Sequence, residues 1–399
     1  CCSLSEATPP APIPTLSKRR FPASMGSANV SSHDGASERG GREVRFRGDE
    51  APPNLGAFRL TTPAPLSLSD TLRLYRELLR ARRLDERLLA LCRQGRIGFW
   101  GSSFGQEAVP VAAAFAIEPG DWVFPALREG AVMLVRGFPL ELYLAQAFGS
   151  ARDVQKGRQM PSHPAGRAVH QVSWSSAIAT QLPQAVGMAW AARRSGERAV
   201  ALAFLGDGAT SHPDFHAALN FAGVLAAPVV FVCQNNQYAL SVPVSRQSAS
   251  ASLAVKARAY GFAGERIDGN DALAVHAAVS AAATHARNGR GPMFLECVTY
   301  RRGAHSTSDD PSRYRSLAEE EQWASRDPVL RLRARLESDG VLDSEVEARF
   351  VAEIDTELER AIARAEAEPK PAVGTLFDDV YRVRPWHLEE QRRSLLNDA

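Results

Sequence analysis

Several common features are scarce or missing in this 399-residue chain. No run approaches the ~18 uninterrupted apolar residues that a membrane span needs, so no membrane role is expected. Charge of one sign is also missing. The 47 Lys and Arg offset the 45 Asp and Glu to a net +2, which gives no electrostatic argument for nucleic acid or an anionic lipid surface. The five cysteines, Cys1, Cys2, Cys92, Cys233 and Cys297, form no CxxC pair and no metal-ligand spacing. Three of them lie in apolar stretches, and the set reads as reduced thiols in a cytosolic compartment. Lysine is nearly absent, limited to Lys18, Lys156, Lys256 and Lys370. An Arg-for-Lys excess with abundant Ala points to a GC-rich coding sequence and toward a bacterial, cytoplasmic protein. The matrix of the mitochondrion is the expectation if the source is eukaryotic. The chain opens on Cys-Cys, and Met25 is a plausible start.

What is present divides into three. Residues 1–65 are rich in Pro, Ser, Gly and Arg without apolar periodicity, so they cannot repay their ordering entropy and read as a flexible arm. Its first 25 residues are basic and poor in acid, as a transit peptide would be, but lack an amphipathic helix. Ser67 and Asp70 make a capping-box pattern that opens a helix. Leu78, Ala81, Leu84, Leu88 and Leu91 then recur at helical spacing until Gly95. Beyond it, apolar runs at Ala199–Leu205, Pro228–Cys233 and Pro292–Val298 alternate with Ala-rich helices, one of them opening at Pro213. Continuous rather than alternating runs belong to strands buried on both faces. The expected fold is α/β, a mostly parallel sheet flanked by helices, with ligands at the carboxyl ends of the strands. Residues 66–375 form this domain, with charged helices across 316–368, and 376–399 read as a polar tail.

Two consecutive strand ends carry the chemistry. Gly206-Asp207-Gly208 follows the first run and Asn235-Asn236 the second, with residues 209–234 long enough for one helix and one strand between them. A carboxylate and a carboxamide thus face one crevice, both hard oxygen donors suited to Mg²⁺. The glycines leave backbone N–H groups open to phosphate, and the following helix start adds its dipole. Asp-Gly and Asn-Asn are also ordinary turn pairs. Hairpin turns, however, need alternating flanks, and these flanks are continuous. Among the nine histidines, His305 lies in a Ser/Asp-rich loop just past the third run, where function concentrates. An imidazole titrating near pH 6.5 suits proton transfer around a carbonyl. His212 and His216, four apart, could pair on a metal but lack a third ligand and read as surface or cap residues.

The pairing resembles the thiamine diphosphate-binding motif. The segments GRIGFWGSSFGQEA (95–108), KGRQMPSH (156–163), SSAIATQLPQAVG (175–187), GDGATSHPDFHAALNFA (206–222), CQNNQYALS (233–241), RIDGND (266–271) and YRRGAHSTSDDPSRYR (300–315) together resemble the α subunit of 2-oxo acid dehydrogenase E1 components across about residues 66–385. The HSTSDD loop is most similar to the branched-chain (2-oxoisovalerate) type. The resemblance implies a thiamine diphosphate-binding fold of the diphosphate-binding kind. It implies oxidative decarboxylation of a branched-chain 2-oxo acid, with acyl transfer to the lipoyl group of an E2 acyltransferase. It assigns Mg²⁺ to Asp207, Asn236 and the Tyr238 carbonyl. The cofactor is assigned to Arg128, Ser176, Gly208, Ala209, Gln234 and His305, with His305 also catalytic, and a structural K⁺ to Ser175, Thr180 and Gln181. Three positions depart from the family: Ala177 replaces a Pro, Leu127 a Tyr, and Gln234 an Arg. Ser306 matches a serine phosphorylated in animal relatives, and Asp309, Asp310, Arg313 and Tyr314 match residues that order its loop. The resemblance further implies a separate β subunit that supplies the aminopyrimidine end and its activating Glu, in an α2β2 heterotetramer. The roughly 330 residues beyond the arm suit one such domain rather than two.

Two rival readings follow from the same residues. Pyruvate or acetoin would change only the substrate, with Phe99, Trp100 and Phe104 either shaping an acyl pocket or packing in the core. A metal-dependent phosphatase also presents Asp and Asn at strand ends, but needs further His and Asp clusters for two metals.

Overall fold

The computed structural model describes residues 63–397, all within one compact unit that spans Pro52–Ala399. The arm expected at 1–65, with Met25, Cys1 and Cys2, lies almost wholly outside the described residues. The chain begins with α1 (Leu68–Arg93), α2 (Ala108–Ala116), β1 (Trp122–Phe124), α3 (Gly130–Val135), α4 (Leu140–Phe148) and α5 (Gln181–Arg194). Next come β2 (Ala201–Gly206), α6 (Pro213–Leu225), β3 (Val229–Asn235) and a small ribbon of β4 (Tyr238–Ala239) and β5 (Val242–Pro243). Then follow β6 (Gly264–Asp268), α7 (Ala272–Arg287) and β7 (Met293–Val298). Helices α8 (Leu317–Ala324), α9 (Pro328–Ser338), α10 (Ser344–Ala367) and α11 (Trp386–Asn397) complete it.

Local chemistry sets the boundaries. Ser67 caps α1 by accepting from the Asp70 N–H at 3.1 Å, and its hydroxyl donates to the Asp70 carboxylate at 2.7 Å. Gly95 ends that helix in the left-handed region, φ +69°. Pro213 occupies the first turn of α6, where its missing N–H costs nothing, and His212 is the N-cap, accepting from Asp214 N–H. His212 is therefore a cap, and no group of three or more His, Cys, Asp or Glu able to hold a metal forms around it among the described residues.

Five parallel strands pair in the order β1-β2-β3-β7-β6. Alternate residues of the central strands enter two cores. Leu202, Phe204, Val230, Val232 and Leu295 pack toward α1, α2, α7 and α10. Ala203, Leu205, Phe231, Cys233 and Phe294 face α5 and α6. That two-sided burial is why these strands read as unbroken apolar runs. Cys233 and Cys297 are buried free thiols, as expected, and burial pushes the Cys297 thiol upward.

The register brings the strand ends level: Gly206 pairs with Gln234, and Gln234 with Cys297. The segments leaving β2, β3 and β7 therefore emerge side by side at the carboxyl edge. Much of the segment read as a polar tail is the exposed helix α11, with no buried residue.

Candidate active site

A cavity of ≈ 480 Å³ opens at this edge. Its walls include Asp207, Gly208, Ala209, Gln234, Asn236, Tyr238, Arg128, Ser175, Ser176, Gln181 and His305. Of the residues singled out in the sequence for cofactor, Mg²⁺ or K⁺, only Thr180 is not on this wall.

One wall is built for a cation. Asp207 is 1% exposed and starts a 3₁₀ turn at the end of β2. Burial pushes its carboxyl upward, and its hydrogen-bond partners are neutral: the Gln247 amide at 2.8 Å and the Asn236 backbone N–H. Asn236 donates its Nδ2 to Gln106 Oε1 at 3.0 Å, which leaves Oδ1 as the end available to a metal. The Tyr238 side chain turns away to Glu319, at 2.8 Å, so only its backbone serves the cavity. Its register partner Pro243 has no N–H to offer the Tyr238 carbonyl. A Cβ on Gly208 would stand 2.6 Å from Ala239 Cβ, so only glycine allows the turn to pack against β4. Glu296, the polar interruption in the third run, accepts from Asn235 Nδ2 at 2.8 Å and from Ala254 N–H at 3.0 Å. It fastens the Asn-Asn turn to the neighbouring strand.

Cationic groups line the same cavity. Arg128 is buried, donating to Ser102 O and, at 2.8 Å, to His305 O. Burial first, and then the nearby Arg301 charge, bring its guanidinium down to about 10. Arg301 donates to His305 Nδ1 at 3.1 Å. A guanidinium cannot accept, so Nδ1 is the unprotonated nitrogen and the neutral ring carries its proton on Nε2. Burial, Arg128 and Arg301 together bring the His305 imidazole down to about 4. The His305 loop is tied by Asp309, which accepts from His305 N–H at 2.7 Å and from Tyr314 O–H at 2.6 Å. Burial opposes the charge of Asp309, but these bonds outweigh it and lower its carboxyl. Asp310 caps the short turn at Pro311–Arg313. Ser176 pairs with His163 Nε2 at 2.6 Å, and Ser306 lines a second cavity of ≈ 530 Å³.

The residues expected for K⁺ share one turn. Thr180 Oγ1 donates to Ala177 O at 3.0 Å, Ser175 Oγ accepts from Ala177 N–H at 3.2 Å, and Gln181 donates to Phe204 O at 2.8 Å. The aromatic trio separates. Phe99 lines the cavity. Trp100 instead donates Nε1 to Asp85 at 2.8 Å, and Phe104 lies between the guanidiniums of Arg82 and Arg302, 4.5 and 4.8 Å from its centroid. Those two pack the structure rather than an acyl pocket.

Sequence reading missed Arg301, Glu129 and Gln106. Glu129 is buried, accepts from the N–H groups of Ala126 and Arg128 and from the Gln234 amide, and burial brings its carboxyl up to about 7. Gln234 Oε1 and Gln106 Nε2 are both buried without partners on this cavity. Such groups call for a polar occupant. A carboxylate, two guanidiniums and unmet polar atoms on one cavity fit a metal–diphosphate ligand. No group of three or more His, Cys, Asp or Glu able to hold a metal occurs among the described residues, so a two-metal phosphatase centre has no donor set there.

Comparison with known proteins agrees. The family model for the dehydrogenase E1 component matches residues 75–374. The chain is 43% identical over 332 residues to the 2-oxoisovalerate dehydrogenase subunit alpha 1, mitochondrial, of Arabidopsis thaliana, covering 83% of this chain and 70% of that one. It is 42% identical over 325 residues to the Homo sapiens 2-oxoisovalerate dehydrogenase subunit alpha, mitochondrial (81% and 73%). With the pyruvate dehydrogenase E1 component subunit alpha of Bacillus subtilis (strain 168) it shares 41% over 319 residues (80% and 84%). A matched model over most of the fold, and relatives at this identity over most of their length, place the chain in the dehydrogenase E1 component family.

Proposed function

We propose that this chain is the E1 α subunit of a branched-chain 2-oxo acid dehydrogenase, working with thiamine diphosphate and Mg²⁺. The observation that carries the reading is the cavity at the carboxyl edge, which gathers Asp207 and Asn236 with Arg128, Arg301 and His305. When bound, thiamine diphosphate supplies the carbon nucleophile and electron sink for decarboxylation of a 2-oxo acid. Asp207, Asn236 and the Tyr238 carbonyl would hold Mg²⁺; Arg128 and Arg301 would face the diphosphate, with the backbone of Gly208 and Ala209 beside it. Ser176 and Gln234 would complete that wall. Ser175, Thr180 and Gln181 offer oxygens for a structural K⁺. His305, neutral with its proton on Nε2, presents a hydrogen-bond donor to the reacting oxygen.

The domain boundary at residue 66, the β subunit, an α2β2 assembly and a lipoyl-bearing E2 belong to the same reading. So does a bacterial cytoplasmic location, or the mitochondrial matrix in a eukaryote. Among the described residues no helix is long and apolar enough to cross a membrane.

Pyruvate is the second reading, favoured by the Bacillus subtilis relative. Steady-state rates of the complex reconstituted with its β subunit decide between them. A higher kcat/KM for 3-methyl-2-oxobutanoate supports the proposal, and preference for pyruvate overturns it.

A further inference from the structure

We infer that Gln106 is a positioning residue for the metal ligand Asn236, and that a buried ion network remote from the cavity holds it in place. The inference rests on the Mg²⁺ reading above and assigns a role to a residue outside the expected ligand set. Gln106 is fully buried, on the loop that leads into α2, and comes from a part of the chain 130 residues away from Asn236. Its Oε1 accepts from Asn236 Nδ2 at 3.0 Å. The Asn236 amide is oriented from both ends, because its Oδ1 receives the Tyr238 N–H at 3.3 Å. An asparagine binds a hard cation through oxygen alone, so a rotated carboxamide would present nitrogen and lose the metal. Gln106 opposes the rotation from the nitrogen end, as the Tyr238 N–H does from the oxygen end.

The loop bearing Gln106 has little freedom. Gly105 has φ +88°, and a Cβ there would lie 2.7 Å from Tyr300 O. Its N–H donates to Glu107 Oε2 at 3.0 Å, and its carbonyl accepts from Thr299 Oγ1 at 3.2 Å. Glu107 pairs with Arg82, Arg82 with Asp327 at 3.0 Å, and Asp327 with Arg302 at 2.8 Å. The two carboxylates are wholly buried and belong to different parts of the chain. The network fixes the backbone on either side of Gln106 without touching the ligands.

The test uses the α/β complex, stripped of metal and supplied with thiamine diphosphate, with Mn²⁺ as the probe and its free concentration read by electron paramagnetic resonance. Loss of an outer-sphere partner costs metal affinity roughly 10–100-fold. Gln106→Met should weaken Mn²⁺ binding by that factor while kcat at saturating metal changes less. Gln106→Glu keeps the acceptor and should bind Mn²⁺ at least as tightly as the unaltered complex. In an Asn236→Ala background, adding Gln106→Met should change nothing further. Unchanged affinity in Gln106→Met, or a tenfold loss in Gln106→Glu, overturns the positioning role even if Gln106→Met proves too unstable to assay. If the unaltered complex binds no Mn²⁺, the metal reading falls and this inference with it. If the unaltered complex binds and Gln106→Met binds equally, only this inference falls.

Discussion

Replacing Arg82 with Met removes the one cation shared by two buried carboxylates. The Glu107 side chain is wholly buried and Arg82 is 12% exposed, so the pair is shielded from solvent. Burial works against the Arg82 charge, but Glu107 and Asp327 outweigh it and the net displacement is upward. After substitution Asp327 keeps Arg302 at 2.8 Å and its capping bonds to Val329 and Leu330. Glu107 keeps only the Gly105 N–H, so it carries most of the damage. Breaking a buried pair from one side costs about 3–5 kcal/mol. Loss of the guanidinium over Phe104 adds roughly 0.5–1 kcal/mol. Spread over a domain of this size, at about 2.1 cal/mol/K per residue, the melting midpoint should fall by roughly 5–9 °C.

The deficit should also depend on pH. Burial already raises the Glu107 carboxyl against the pull of Arg82, and removing Arg82 raises it further. A folded-state value above the unfolded value of about 4.3 means the folded protein binds more protons between the two. Stability of the variant relative to the parent therefore rises as pH falls through the folded value, and the recovery is complete below the unfolded one. Urea melts of both proteins at about pH 8 and about pH 5.5 measure this. A loss under about 1 kcal/mol at the higher pH, or a deficit that widens in acid, would refute the account of Glu107 as an unpaired buried charge.

Other expectations follow from single contacts. Arg301→Gln should let the His305 imidazole climb from about 4 toward the ordinary range, seen as a shifted titration of its ring signals in nuclear magnetic resonance; no movement would remove Arg301 from the site's electrostatics. Gly105→Ala should be poorly folded, with weakened metal binding in whatever folds, since neither φ +88° nor the Tyr300 carbonyl admits a Cβ; a melt within about 1 kcal/mol of the parent contradicts this. Tyr314→Phe removes the hydroxyl that donates to Asp309 and accepts from Arg301, so limited proteolysis should cut the 303–315 loop faster; equal rates would show that the loop is ordered otherwise. Asp207→Ala should abolish Mg²⁺-dependent binding of thiamine diphosphate in calorimetry.

The parts of the fold legible in the sequence were those whose cause is local. Two-sided burial made β2, β3 and β7 continuous apolar runs, and the Ser67 cap and Pro213 start each rest on contacts within a few residues. The Asp207 and Asn236 turns followed because the residues just past a parallel strand must lie at its carboxyl edge. β1 escaped because three residues carry no period, and β6 because its Gly-Glu-Arg-Ile-Asp strand is a largely exposed edge. In the site the same division holds. Arg301, Glu129 and Gln106 are polar residues whose partners are distant in sequence or reached through a backbone turn, so no spacing announces them. Trp100 and Phe104 show the converse. Both are aromatic and near the motif, yet Asp85 and two guanidiniums claim them.

What the sheet adds to those residues is a gathering of charge. Asp207 and Asn236 leave β2 and β3, whereas Arg301 and His305 leave β7, and the level register brings the two sets to one cavity. Arg128 joins the second set from the segment between β1 and α3. Left alone, that arrangement is costly: a buried carboxylate with no guanidinium bonded to it, and a buried Arg128 lowered further by the Arg301 charge. A ligand with a divalent metal at one end and a diphosphate at the other relieves both costs at once, while a lone cation or a lone anion relieves only one. The two guanidiniums that would face the anion also hold His305 unprotonated, so the charge of the occupant and the protonation of the histidine are coupled through the same residues. An anion there offsets the guanidinium charges and raises the imidazole from about 4 toward the range where it can exchange a proton. On the proposed function, the ligand would thus ready the histidine for proton transfer.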